Sequence, residues 1–128
     1  MFKILLLFLC FQVGYPEAPL RDRLNTASKL DKPILTIFSA KWCVPCQLMK
    51  NNVIEPMRAS GELNSVSVVT VDVDIDKQFT ETHLGKNYTI PKILLFFKKD
   101  NRWFQYNLTG YQSKEKILQV IEYQRKNK

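Results

Sequence analysis

The sequence predicts an α/β protein with one central mixed sheet and helices on both faces. Three observations predict it. Apolar residues recur at helical spacing in some segments and crowd into short β-branched or aromatic runs in others. A strand–helix–strand unit is followed by a hairpin, and the two together make a mixed sheet. The chain has 128 residues, 45% of them hydrophobic and 24% charged. That suits one domain with one core and leaves no room for two catalytic domains.

Each element has a local reason. Leu20, Leu24, Ala27 and Leu30 recur at helical spacing, so residues 18–30 read as an amphipathic helix that Asp31-Lys32-Pro33 stops. Residues 34–39 form a short β-rich run, and Ala40-Lys41-Trp42 a loop. From Cys43 onward, Cys46, Leu48, Met49, Val53, Ile54 and Met57 mark a long helix, kinked or restarted at Pro56 and ended by Ser60-Gly61. Residues 66–73 are dense in β-branched side chains and read as a central strand. Asp76 is placed to cap a short helix running to about Leu84. After the turn Gly85-Lys86-Asn87, residues 92–97 form another apolar strand. Residues 98–102 are a polar hairpin turn, and 103–108 the returning strand. Gly110 breaks the chain, and Ile117, Leu118 and Ile121 mark a last helix. The order is α-β-α-β-α-β-β-α.

The first 18 residues are read apart from this fold. Met1-Phe2-Lys3 precedes an apolar run of about ten residues, the pattern of a secretory signal peptide and too short for a membrane span of about 20. The small-residue pattern for cleavage is poor, so the segment is expected to be either removed or kept as an N-terminal anchor. Cys10 is placed as a candidate lipid acceptor, against the plainer reading of an apolar residue in the leader. Residues 19–128 then form the domain, exported to a periplasmic or extracellular setting where disulfides persist.

Charge and residue counts exclude several classes. Lys and Arg number 19 against 12 Asp and Glu, a net +7 spread along the chain. The basic tail Arg125-Lys126-Asn127-Lys128 reads as a solvated helix end. Without interleaved aromatics it does not point to nucleic acid. Three cysteines exclude a disulfide-dense scaffold, and one histidine excludes mechanisms that need two.

The chemistry is expected at Trp42-Cys43-Val44-Pro45-Cys46, where a buried strand gives way to a helix. Two cysteines three apart on a first helical turn can close a small disulfide ring. The first thiol meets the unpaired N–H groups and positive end of the helix, which favour a thiolate. A thiolate is the nucleophile of disulfide exchange. Cys46, deeper in the turn, is the resolving thiol, and Pro45 narrows the ring geometry. Zinc needs four ligands, and only Cys10 and His83 remain to join the pair. A structural disulfide and a cluster bridged between two chains stand as alternatives. Asp72, Asp74 and Asp76 lack the glycine and terminal glutamate of a calcium loop and read as a strand end and helix cap. Thr89-Ile90-Pro91 precedes a strand. A cis bond there would offer Ile90 backbone groups to an extended substrate, but the isomer does not follow from sequence.

These pieces together resemble the thioredoxin superfamily over residues 20–125. The segment from Cys46 to Met57, followed by Val71-Asp72-Val73-Asp74, is closer to exported thioredoxin-like domains. Among them is the periplasmic C-terminal domain of the transmembrane disulfide-reductant carrier. The resemblance implies a thioredoxin fold and a redox-active Cys43–Cys46 disulfide, with Cys43 attacking and Cys46 resolving. It makes Pro91 the cis-proline and Gly110 the glycine before the last helix. Trp42, Val44, Pro45, Ile90 and Pro91 are the supporting residues. The chain also departs from the pattern. Ile37 stands where cytosolic thioredoxins bury an aspartate as proton acceptor for the resolving thiol. Lys92 replaces the threonine after the cis-proline, and Val44 replaces a glycine. No histidine lies between the cysteines, which leans away from a strong oxidant.

The expected function is therefore that of an exported thiol–disulfide oxidoreductase reducing partner-protein disulfides. It needs no organic cofactor or metal, and a dithiol electron-donor protein, either membrane-bound or free, recharges it. The competing expectation is a thioredoxin-like binding module or assembly factor whose cysteines do not turn over.

Overall fold

A computed structural model describes residues 19–127, and the expectations for the leader and Cys10 lie outside them. Residues 34–39 form β1 (Ile34–Ser39). It is buried almost throughout because strands flank it on both sides and helices cover both faces. β2 (Ser67–Asp72) lies parallel to it, Ile34 opposite Ser67 and Ser39 opposite Asp72. β3 (Lys92–Lys99) lies antiparallel on the other side, Ile34 opposite Phe96 and Phe38 opposite Lys92. β4 (Arg102–Thr109) pairs antiparallel with β3, giving the mixed order β2-β1-β3-β4.

Alternation along the strands divides the core. Leu35 and Ile37 on β1, with Ile93 and Leu95 on β3, face one side. Met49, Val53, Ile54 and Met57 pack there with Ile117, Val120 and Ile121 of α5 (Lys114–Lys126). Ile34, Phe38 and Leu94 face the other side, against Leu20 and Ala27 of α1 (Leu20–Ser28). Phe79 and Leu84 of α4 (Lys77–Leu84) pack on that side too.

The structure moves several expected boundaries. α1 is two residues shorter at each end than the spacing predicts, and Asp31 leaves it with φ 52°. The helix after Cys43 runs as α2 (Val44–Met49), a π-helical turn (Lys50–Ile54) and α3 (Glu55–Ala59). Pro56 has no N–H to give, and the ladder widens just before it: the Glu55 N–H bonds to the Lys50 carbonyl, five residues back. The hairpin turn shrinks to Asp100-Asn101, with φ 51° and 63°, and Lys99 and Arg102 join the ladder. Positive φ at both central residues is what a two-residue hairpin with twisted strands requires.

Candidate functional site

β1 delivers the chain to the end of the sheet, and the helical turn begins there. The Cys43 N–H donates to the Ala40 carbonyl (3.2 Å), and the Gln47 side-chain amide reaches the same carbonyl (3.0 Å). Cys43 is thereby held in extended conformation at the N-cap of α2, with Pro45 in the first turn. Cys43 stands at the helix N-terminus as expected, and the helix itself starts one residue later, at Val44. Its Sγ takes the role a serine or aspartate oxygen has at other helix starts and accepts from the Cys46 N–H at 3.3 Å. Cys43 and Cys46 are joined as a disulfide, with Cα atoms 5.2 Å apart. They are 4% and 2% exposed.

The Thr89-Ile90-Pro91 segment lies against this pair. The Ile90–Pro91 bond is cis. The Ile90 carbonyl oxygen is 3.9 Å from Cys43 Sγ. Pro91 is buried, Ile90 half-buried. The Gly110 N–H donates to the Pro91 carbonyl (2.9 Å), fastening the proline to the end of β4. The fold thus brings together Cys43, Cys46, Pro45, Ile90 and Pro91 from segments far apart in sequence.

Trp42, expected as a supporting residue, lies at the surface. It is 67% exposed, and its indole N–H donates to Asp74 Oδ2 at 2.9 Å. Asp72 Oδ1 accepts from the Asp74 and Ile75 N–H groups (2.9 and 3.2 Å), so the acidic run shapes the loop after β2. Asp76 makes no side-chain cap; its carbonyl accepts from Thr80 Oγ1 instead (2.9 Å). Among the described residues no group of His, Cys, Asp and Glu could hold a metal ion. Val44 is 67% exposed and Ile75 75%. Sequence reasoning missed Ile75. The only signal for it was an aliphatic side chain between two aspartates in a loop. Trp42 and Ile75 leave apolar surface on the two loops joined by the Trp42–Asp74 bond, and Val44 presents more at the start of α2. Ile37 is buried in the apolar cluster with Met49 and Ile93. Lys92 is half-buried opposite Phe38.

A thioredoxin-like domain family matches residues 20–125. The chain belongs to this thioredoxin-like family. It is 37% identical to a thioredoxin from Alicyclobacillus acidocaldarius over 87 residues, covering 68% of this chain and 76% of that protein. It is 27% identical over 92 residues to the thiol:disulfide interchange protein DsbD of Campylobacter jejuni, covering 71% of this chain. The chain spans only 16% of that relative's length. Among solved structures, Trichomonas vaginalis thioredoxin superposes with a TM-score of 0.65 at 25% identity, covering 84% of this chain and 93% of that one. Chloroplastic thioredoxin z gives 0.68 at 19% identity, over 83% and 89%, a likeness of fold. The chain has the thioredoxin fold, and its cysteine pair stands at the start of the helix after β1.

Proposed function

We propose that this chain is an exported thiol–disulfide oxidoreductase that reduces disulfides of partner proteins. The observation that carries the reading is the placement of Cys43 Sγ. It is bonded to Cys46, receives the Cys46 N–H at the start of α2, and lies beside the Ile90 carbonyl. In the dithiol form the same N–H and the helix end stabilise a Cys43 thiolate. That thiolate attacks one sulfur of a partner disulfide, forming a mixed disulfide and expelling the partner's other sulfur as a thiolate. Cys46, deprotonated, then attacks Cys43 Sγ. The partner leaves as a dithiol, and the chain holds the Cys43–Cys46 disulfide. Two electrons pass to the partner, and a second dithiol protein returns them in the reverse sequence.

The apolar surface of Trp42, Val44 and Ile75, with Ile90 beside the disulfide, supports docking of an extended polypeptide. The leader pattern of residues 1–18 supports export, with residues 19–128 as the exported domain. The likeness to DsbD supports a membrane-linked donor. The reductive direction rests on the absence of a histidine between the cysteines.

Trapping tests exchange. A Cys46→Ser variant should accumulate mixed disulfides at Cys43 with partner proteins, and a Cys43→Ser/Cys46→Ser variant none. If Cys46→Ser traps nothing, the domain is a binding module. Thiol titration against glutathione and dithiothreitol buffers tests direction. A potential near about −270 mV supports a reductant, and one near about −120 mV makes the chain an oxidant.

A further inference from the structure

β4 closes the sheet on one side, and no further strand covers it among the described residues. It pairs with β3 over its full length, from Lys92 opposite Thr109 to Lys99 opposite Arg102, with no bulge. The Gly110 N–H donates to Pro91 just beyond the ladder. Antiparallel ladders turn alternate residues toward the partner strand. The backbone groups of Arg102, Phe104, Tyr106 and Leu108 therefore face β3. Those of Trp103, Gln105, Asn107 and Thr109 face outward. Proteins usually blunt such an edge with proline, a bulge, short length or charge. β4 has eight residues, no proline, and one charge, at Arg102. Every residue except Leu108 is exposed. Trp103, Phe104 and Tyr106 are 40–50% exposed.

We propose that β4 pairs antiparallel with β4 of a second copy of this chain, with Tyr106 on the two-fold axis. The hydrogen-bond phase allows this register, and it is the one that pairs all four outward-facing residues of the strand with one another. Gln105 then meets the partner's Asn107, Trp103 meets the partner's Thr109, and every outward-facing backbone group of the strand finds a complement. The same register sets Tyr106 beside the partner's Tyr106 and Phe104 beside the partner's Leu108. Those residues share the sheet face on which Phe104 stacks on Phe97 (5.8 Å) and Leu108 joins the core. Charge permits the pairing despite the net +7. Lys98, Lys99 and Arg102 of each copy gather at its hairpin end, and the two-fold axis sends these ends apart. The two Arg102 positions would lie roughly 27 Å apart, about three Debye lengths at physiological salt. The three rings leave on the order of 300 Å² of aromatic surface per copy. That is well below the roughly 800 Å² per partner of a standard interface, so the dimer is weak and concentration-dependent. The two Cys43–Cys46 pairs stand at opposite ends of the joined eight-stranded sheet.

Sedimentation equilibrium of the full chain tests the pairing, with variants in identical buffer so that residues 1–18 contribute equally. The wild-type mass should rise from 15.0 kDa toward twice that value over roughly 1–300 µM. Tyr106→Lys sets two ammonium groups at the axis, and association should weaken at least about tenfold. Gln105→Pro removes one outward donor while leaving the β3 ladder whole, and should act in the same direction. A far-UV spectrum shows whether either variant has lost its fold. A chain that stays at 15.0 kDa, or variants that associate as the wild type does, would overturn the proposal. Register has its own test, with Cys10, Cys43 and Cys46 changed to Ser. A residue on the axis faces its own copy with Cα atoms about 4.5 Å apart, within disulfide reach. Tyr106→Cys should therefore oxidise to a covalent dimer and Gln105→Cys should not. Equal cross-linking of the two would rule out this register.

Discussion

His83 packs between two phenylalanine rings, and that sets the direction in which acid acts on the fold. Its ring lies 4.3 Å from Phe79 and 5.6 Å from Phe96, and burial holds its pKa below the ordinary histidine value. The unfolded chain therefore takes up a proton more readily than the folded one. The neutral ring's contribution is present above about pH 6.5 and is lost as pH falls through the folded-state value. Ring faces that attract cations offset part of the loss. Denaturant midpoints measured from pH 7.5 to 5 should fall for the wild type and stay flatter for His83→Gln. Glu62 is separable. Its pKa is lowered by the Ser60 hydroxyl first and by Lys114 next, so its contribution is lost only under more acidic conditions, below the ordinary carboxylate range. Equal slopes in the two proteins would show that His83 is not the group responsible.

At the scale of elements, spacing located the helices and strands, while the details at their ends depend on long-range contacts. The strand at 34–39 and the helix starting near Cys43 follow from composition, because apolar β-branched runs and a Cys-x-Pro-Cys turn have few alternative conformations. The cysteine pair was readable for the same reason. The Trp42–Asp74 hydrogen bond was not, since it joins residues 32 positions apart whose nearness depends on β1 and β2 lying parallel. Exposure of Trp42 and Ile75 was hidden likewise, because an apolar side chain looks the same in sequence whether it meets core or water. The π turn was half-readable: Pro56 signals a break, but not whether the ladder widens or ends. Gly110 carries an element-scale prediction. Its φ is +84°, and a Cβ there would meet nothing within 4 Å. The cost of Gly110→Ala is thus conformational, about 1–2 kcal/mol. Chemical denaturation should show that loss, and Gly110→Asn should recover part of it, since asparagine tolerates positive φ better. A loss well above 3 kcal/mol would point to a contact the open surroundings do not suggest.

At the scale of the molecule, the sheet is one strand layer shared by two cores, and the question is whether they melt together. Ile93 and Leu94 are adjacent on β3 and fully buried, yet they face opposite sides. Ile93 packs in the cluster with α5, and Leu94 in the cluster with α1 and Cys46. Truncation of either to alanine removes buried aliphatic volume and is expected to cost about 2–5 kcal/mol. For a domain stable by only about 5–15 kcal/mol, that is a large share. If the faces were independent, Leu94→Ala would lower the melting of its own side and leave α5 and its partners at the wild-type midpoint. The topology argues otherwise. β1 and β3 contribute alternate residues to both clusters, so neither side can lose its order without releasing strands the other needs. Leu94→Ala and Ile93→Ala should each shift one transition, the same by far-UV circular dichroism and by tryptophan fluorescence. A biphasic curve with one step at the wild-type midpoint would show two separately stable halves. Coincident curves would mean that the disulfide end, the hairpin end and both helical layers fold as a single unit.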